Sequence, residues 1–398
     1  MKKAYLISVG IAILFVNLMS SCHRDFTIAW QQVPYKSYSI KPRLKVYVEN
    51  SGSMDGYMGN GSELKDAVYS YVSTLRSYAD TLELYYINSD IIPYRGSLQH
   101  FIRELTPAIF KSVGGNKANS DIAAMFEMML SRHDSTTVSV FISDCILDVP
   151  QGAAKDFLVN RQIDIRNAFV TALQKDASLG VEIFRLTSTF TGTYYYSQGS
   201  ERLTEQRRPY YLWVMGNKHA LAYFNKHVPF SEIKHGVDNF FAYVTREPIA
   251  FELTDKFGRV PKNPLVTCKI ARDGQYEIRI LADLSSLLQP QDMTCSQSNY
   301  STGNKAVSIV SINPIESGRN THAIILNISE SIKSCADSVV FTLPERPSWL
   351  AAVNDTTGAN VKEHLSQTTG IENIVMGVSD AYRQHRKLFA IPFVITNN

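Results

Sequence analysis

The sequence has few cysteines and histidines, and none of them has the spacing of zinc ligands. Of its 398 residues, 5 are Cys and 9 are His, and no His-Glu-x-x-His arrangement occurs. Zinc-dependent hydrolysis is therefore not supported. The loop around Ser53 also lacks the Gly-x-Ser-x-Gly spacing of a serine nucleophile and has no histidine placed as a base. A serine hydrolase is kept only as a second alternative function.

An excess of one charge sign is also missing. Lys and Arg number 40 against 37 for Asp and Glu, which argues against a general nucleic-acid binder. Beyond residue 21, every apolar run is broken by a charge within about a dozen residues, well short of the ~20 that a membrane-spanning helix needs. We expect the bulk of the chain to lie in water.

The first 22 residues have the pattern of an export signal. Two lysines precede an apolar run over residues 4–16, and the run leads into Met19-Ser20-Ser21-Cys22. This segment resembles the lipobox of bacterial lipoproteins, which implies cleavage after residue 21 and lipidation of Cys22. We therefore predict a membrane-attached lipoprotein of the cell envelope. His23-Arg24 lacks the aspartate that commonly retains lipoproteins at the inner membrane, which favours the outer membrane, facing the periplasm.

The remainder divides into a tether and two regions. Residues 22–42 are polar and irregular, and we predict a tether there. Residues 43–235 alternate strands with helices, which is typical of an α/β fold with a doubly wound, mostly parallel sheet. The predicted strands are 44–48, 82–87, 137–143, 181–186 and 210–215, and the predicted helices are 63–78, 98–111, 121–132, 154–175 and 219–227.

Beyond residue 240 the pattern changes to short β segments separated by turn residues. This spacing predicts a smaller antiparallel domain, similar to a β-sandwich, over residues 240–398. Near its end, an apolar stripe at helical spacing predicts a late helix over 369–385, and 388–396 reads as a closing strand.

Oxygen-bearing side chains stand at the ends of two predicted strands and directly before a predicted helix in the first region. Glu49, Ser51 and Ser53 come directly after the first strand, Ser120 precedes a helix, and Asp144 ends a hydrophobic strand. Open parallel sheets bind ligands outside the carboxyl ends of their strands, so we expect these groups to meet at one edge. Hydroxyl and carboxylate oxygens without soft ligands suit a small hard cation.

These residues resemble the von Willebrand factor type A domain, whose metal-ion-dependent adhesion site is written Asp-x-Ser-x-Ser, then Thr, then Asp. The match covers about residues 43–230. Ser51 and Ser53 fall on the two serines, Ser120 on the threonine and Asp144 on the distal aspartate, while Glu49 falls on the first aspartate. The resemblance implies bound Mg²⁺, with Mn²⁺ or Ca²⁺ as alternatives, and a protein or glycan partner whose carboxylate completes the metal's ligands.

The choice between the two leading hypotheses depends on Glu49. A glutamate at this position is one methylene longer than the family's aspartate, in a kind of site that tolerates little misfit. The leading hypothesis is a lipid-anchored, non-enzymatic binding protein that uses the cation. The alternative is a structural scaffold in an envelope assembly, whose metal site has been lost through Glu49.

Two further features leave alternatives open. Cys145 sits in the context of the predicted strand 137–143 and is predicted to be buried, whereas Cys268, Cys295 and Cys335 allow three disulfide pairings between which the sequence does not choose. Tyr194-Tyr195-Tyr196 and Tyr210-Tyr211 are compatible with either an exposed aromatic binding surface or the edge strands of a sheet.

Overall fold

The computed structural model describes residues 25–397 apart from 32–40, 118–119, 151, 197–198, 245–248, 255–258, 260, 262–264, 270–274 and 360–362. The predicted signal peptide and Cys22 therefore lie outside the described residues. None of the helices in the described part of the chain is both long and apolar enough to cross a membrane.

Strands and helices are numbered in chain order. The strands are β1 Asp25–Trp30, β2 Arg43–Glu49, β3 Leu82–Ile87, β4 Ile91–Tyr94, β5 Thr137–Ser143, β6 Leu179–Tyr196, β7 Gly199–Asn217, β8 Asn239–Tyr243, β9 Phe251–Thr254, β10 Leu265–Lys269, β11 Gln275–Ala282, β12 Tyr300–Ser301, β13 Val307–Ser317, β14 Asn320–Ser329, β15 Cys335–Thr342, β16 Asn354–Asp355, β17 Thr368–Thr369 and β18 Lys387–Asn397. The helices are α1 Glu63–Tyr78, α2 Leu98–Glu104, α3 Pro107–Ser112, α4 Ile122–Ser131, α5 Ala154–Lys175, α6 Lys218–His227, α7 Gln291–Thr294, α8 Leu350–Val353 and α9 Ile371–Ala381.

A seven-stranded sheet forms the centre of the first region, in the order β4-β3-β2-β5-β7-β6-β8. Apolar side chains of α1, α2, α3 and α6 cover one face, and those of α4, α5 and α9 cover the other. The α/β prediction is confirmed. The prediction of a mostly parallel sheet is wrong, because only β3-β2 and β2-β5 pair in parallel and the other four neighbouring pairs are antiparallel.

One long hairpin supplies the antiparallel strands β6 and β7, and β3 and β4 form a separate antiparallel pair at the edge of the sheet. β6 and β7 pair from Leu179↔Asn217 to Tyr196↔Gly199, and β7 lies between β5 and β6. Two strands joined by a short turn must run antiparallel, whereas a parallel pair needs a crossover of a dozen or more residues. The predicted strands 181–186 and 210–215 are therefore the inner halves of this hairpin, whose outer half extends towards the ends of β2 and β5.

Two antiparallel sheets form the second region, in the orders β10-β1-β18-β15-β12 and β13-β14-β11-β9. Their inner side chains share one apolar core, in which the rings of Phe26 and Tyr276 meet edge to face at 5.6 Å. The prediction of antiparallel strands beyond residue 240 is confirmed by these pairings.

The prediction of an irregular tether over 22–42 is wrong at Asp25–Trp30. This segment is β1, which pairs with β10 on one side and β18 on the other. Phe26, Ile28 and Trp30 are buried while Thr27 and Ala29 are only partly so. This alternation is the period-2 pattern of a strand with one face on a core. Most of the remaining predicted tether lies outside the described residues.

The late helix was assigned to the β-rich domain, but α9 packs on α5 beside the first sheet. Gln162 of α5 donates to Asp380 at 2.9 Å and accepts from Asn373 at 3.2 Å. A Cβ at Gly377 would lie 2.7 Å from the Gln162 carbonyl oxygen, so glycine permits this close helix contact. The predicted boundary near residue 240 therefore does not separate α9 from the first region. The predicted helix over 98–111 is likewise two helices, α2 and α3.

Candidate functional site

The candidate site lies where β2 and β5, parallel neighbours, both end. Glu49 is the last residue of β2 and Ser143 the last of β5. The loop after β2 carries Ser51 and Ser53 and continues into a 3₁₀ turn over Met54–Tyr57. Ser120 stands directly before Asp121, the N-cap of α4, whose side chain accepts from the Ala124 amide. Strand ends and one helix start thus bring the predicted groups to the same edge.

Glu49 lies at the centre of this cluster and is fully buried. Its Oε1 accepts from the Ser120 hydroxyl at 2.7 Å, and its Oε2 accepts a short hydrogen bond from the Ser143 hydroxyl. Burial raises the pKa of Glu49 to about 7, and the nearby Asp144 carboxylate adds to the rise, although hydroxyls of Ser143, Ser120 and Ser51 oppose it. One carboxylate therefore joins segments that are 71 and 94 residues away in the chain.

Asp144 is the second buried carboxylate of the site. Its Oδ1 accepts from the Ile146 amide at 3.3 Å, and its Oδ2 has no hydrogen-bond partner within the described residues. Burial raises the pKa of Asp144, while the Ser53 hydroxyl, the Ile146 amide and the charge of Arg208 lower it. The hydroxyls of Ser51 and Ser53 lie 3.0 Å apart. The structure thus brings all five predicted site residues together.

Cys145 holds the turn that follows Asp144. It is buried, as predicted, and its φ of 54° is a left-handed conformation that a residue with a Cβ seldom adopts. Its amide donates to the Ser143 hydroxyl at 2.7 Å, and its sulfur accepts from the Trp213 indole at 3.1 Å. Backbone strain of this kind clusters at functional sites, because the surrounding contacts must maintain it. All four described cysteines are unpaired, so the structure contains none of the three pairings considered above.

Arg208, on β7, is a site residue that the sequence did not point to. Its side chain is buried, its guanidinium lies 4.3 Å from the centre of the Tyr194 ring, and its Nη1 donates to the Leu365 carbonyl at 2.9 Å. Its Nε and Nη2 have no hydrogen-bond partner among the residues that the structure describes. Arg208 lies outside the predicted strand 210–215, within the part of β7 that the sequence did not predict.

The charges of this buried cluster do not balance. Two carboxylates, Glu49 and Asp144, are buried beside a single buried guanidinium, that of Arg208. Burying an unpaired charge is costly, so such a group is paired, binds a cation or takes up a proton. Burial is the largest cause of the raised pKa of both carboxylates, and it disfavours their charged forms.

The donor set is chemically suited to a small hard cation. Two carboxylates and three hydroxyls are all oxygen donors, which Mg²⁺ prefers. Asp144 Oδ2 is a buried acceptor without a donor among the described residues. Across the described residues, the candidate site included, no group of three or more His, Cys, Asp or Glu side chains gathers as metal ligands do. A cation at this site would accordingly depend on serine hydroxyls for part of its ligands.

A pocket of about 320 Å³ opens next to the cluster. Its lining includes Tyr195 and Tyr196 from the outer half of the β6–β7 hairpin, the segment Ile146–Val149, and Gly358 with Thr369. Ser53 and Ser120 of the cluster line it, together with Lys117. This volume is at the small end of the range for ligand pockets.

One wall of the pocket comes from the second half of the chain. Asp355 is a buried acceptor for the Thr357 amide at 2.8 Å, the Gly358 amide at 3.1 Å and the Thr369 hydroxyl at 3.1 Å. The Thr369 carbonyl in turn accepts from the Leu147 amide at 3.0 Å. These contacts fasten residues 355–358 and Thr369 beside the strand ends, so the pocket is built from both halves of the chain.

No family model, curated protein or solved structure matches this chain.

Proposed function

We propose that the chain is a lipid-anchored envelope protein with a type A-like binding domain, in which a divalent cation, most simply Mg²⁺, helps to hold a protein or glycan partner. One observation supports this most directly. Two buried carboxylates lie together with three hydroxyls, and Asp144 Oδ2 has no hydrogen-bond partner in the described part of the chain. The anchoring at Cys22 rests on the sequence pattern alone.

Ser51, Ser53, Ser120 and Asp144 would hold the cation, and Glu49 would act through the hydroxyls. Ser120 gives its proton to Glu49, so both lone pairs of its oxygen stay available to a cation. Glu49 has both oxygens engaged by hydroxyls, and an aspartate would fall short of at least one of them. The longer side chain therefore fits this arrangement. When bound, the cation supplies a Lewis acid to which an acidic group of the partner attaches.

A structural scaffold is the second candidate, because the cluster also has an internal source of positive charge. Arg208 lowers the pKa of Asp144 after burial has raised it, and Glu49 is hydrogen-bonded on both oxygens. A protein that shares a proton between the two carboxylates would need no cation. Metal binding separates this candidate from the first.

Isothermal titration calorimetry of the soluble chain with Mg²⁺ tests the proposal. We expect saturable binding that Ser51→Ala and Ser53→Ala each weaken at least about tenfold, since each removes one oxygen ligand. Ser131→Ala is the matched control, because the Ser131 hydroxyl is exposed and bonds only the Met128 carbonyl. Absence of binding by the unmodified chain would contradict the proposal and favour the scaffold.

The variant Glu49→Asp tests whether the glutamate at this position supports Mg²⁺ binding or impairs it. If Glu49 fits its two hydroxyl partners as described, the aspartate variant binds Mg²⁺ more weakly than the unmodified chain. Stronger binding by Glu49→Asp would mean that the glutamate had impaired the site, and the scaffold would then be the better description.

A further inference from the structure

The pocket beside the cluster has an exposed aromatic side chain at its mouth. Tyr195 is 51% exposed, although large aromatic side chains are mostly buried in this chain. Its ring packs directly on the loop of the site, where a Cβ at Gly52 would lie 3.2 Å from it. Gly52 stands between Ser51 and Ser53, so this ring adjoins the proposed cation ligands. An aromatic face held in this way is a platform for a flat apolar surface of a ligand.

Donors and acceptors stand around the same pocket. Lys117 Nζ donates to the Phe110 carbonyl at 3.2 Å and to the Lys111 carbonyl, which uses two of its three protons. Lys117 lines the pocket, and within the described residues its third proton has no acceptor. Asp148 lies exposed at the rim and Thr369 lies in the wall, so acceptors are present as well.

The recessed shape favours a small protruding group over the flat face of a folded protein. The pocket is lined by Tyr195 and Tyr196 of the hairpin as well as by Gly358 and Thr369 of the later segment. A standard protein interface needs about 800 Å² from each partner, which a recess of this size does not offer at the cation. An acidic side chain entering alone would use the cation but leave the Tyr195 face and the rim acceptor without a partner.

A sugar acid combines the features that this pocket recognises. It carries one carboxylate, an apolar C–H face and several hydroxyls that both donate and accept. We infer that the pocket binds a terminal carboxylate-bearing sugar of a glycan, with its carboxylate towards the Ser53–Ser120–Asp144 cluster, its ring on Tyr195 and its hydroxyls towards Lys117 and Asp148. This inference rests on the proposed cation-dependent function and specifies its ligand.

Binding of a disaccharide that ends in glucuronic acid tests the inference, with the same disaccharide ending in glucose as the neutral control. In the presence of Mg²⁺ we expect the acidic disaccharide to bind at least about tenfold more tightly, because a charge-assisted contact is lost in the neutral one. At saturating Mg²⁺, Tyr195→Ala should weaken binding of the acidic disaccharide about three- to tenfold, whereas Tyr195→Phe should retain binding. Tyr69→Ala is the matched control, since Tyr69 is also exposed, on α1, away from the pocket.

The outcomes separate the inference from the proposed function. If Mg²⁺ binds but the acidic and neutral disaccharides bind equally or not at all, the sugar-acid inference is overturned while the cation site stands. A short peptide with a single aspartate that binds as tightly, unaffected by Tyr195→Ala, would overturn it in favour of a protein partner. Without Mg²⁺ binding, both the inference and the proposed function fail.

Discussion

The seven-stranded sheet has two halves that contribute differently to the site. The parallel strands β3, β2 and β5 have 6 or 7 residues each and stop at the cluster. The antiparallel strands β6 and β7 have 18 and 19 residues and continue past it. The first half supplies the carboxylates and hydroxyls. The second half supplies the positive charge of Arg208 and the aromatic side chains that line the pocket. Because its strands are longer, they extend past the cluster and form part of the pocket wall.

The largest expected effect comes from removing the counter-charge that the antiparallel half supplies. Arg208→Ala leaves the buried Asp144 without its neighbouring positive charge and the Leu365 carbonyl without its donor. Leaving the Leu365 carbonyl without its donor costs about 1–3 kcal/mol, and the loss of the cation–π contact with Tyr194 and of the positive charge near Asp144 adds to this cost. Urea denaturation measures the loss. Arg207→Ala is the control, because Arg207 is exposed and pairs with Glu63 at the surface. Losing a surface ion pair lowers the free energy of unfolding by about 1 kcal/mol or less. Equal losses of unfolding free energy in the two variants would contradict a special role for the buried Arg208 of the antiparallel half.

A smaller effect is expected where the two halves meet. A Cβ at Gly56, in the turn after the site loop, would lie 2.3 Å from the Phe190 ring of β6. Gly56→Ala must therefore displace the ring or the loop, and overpacking of this kind costs about 1–3 kcal/mol. Gly59→Ala is the control, because nothing lies within 4 Å of its Cβ position. Thermal unfolding compares the variants, and an unchanged midpoint for Gly56→Ala would show that hairpin and loop do not depend on this contact.

The third expected effect concerns the parallel half and depends on pH. Since burial raises the pKa of Glu49 from 4.5 to about 7, the folded protein keeps a proton between these values that the unfolded chain releases. Metal-free stability should therefore fall as pH rises from about 4.5 to 7, and Glu49→Gln should flatten this part of the profile. Glu277→Gln, on the surface, should leave it unchanged. A profile for Glu49→Gln that matches the unmodified chain would contradict the burial of a titrating carboxylate at this position.

The parallel half was predictable because local patterns specify it. Buried runs such as Thr137–Ser143 mark strands, and the carboxyl ends of parallel neighbours meet at one edge. The sequence alone could therefore predict that Glu49, Ser120 and Asp144 lie close together. Ser143 was missed as a partner of Glu49 because a serine at the end of a strand has no pattern that distinguishes it from any other.

The antiparallel half was not predictable from the same patterns, although one signal was present. Strands 181–186 and 210–215 were both predicted with no helix between them, and a parallel connection needs such a crossover. That absence indicates a hairpin. Arg208 had no comparable signal, because its role depends on Tyr194 and Leu365, which only the folded chain brings near. The packing of α9 on α5 was also not predictable, because an amphipathic pattern predicts which face of a helix is buried but not the element against which it packs.

β1 has a mechanical consequence for the protein. Asp25 is three positions after Cys22 in the sequence, and β1 lies between two antiparallel neighbours, β10 and β18, rather than at the edge of its sheet. Tension applied at the amino-terminal end of β1 is directed along the strand, so the hydrogen bonds on both of its sides share the load and must shear together. An edge strand peeled from one side would break them one after another. An anchor at Cys22 would accordingly transmit force into the middle of a sheet, and the protein would yield as a unit rather than unravel from its end.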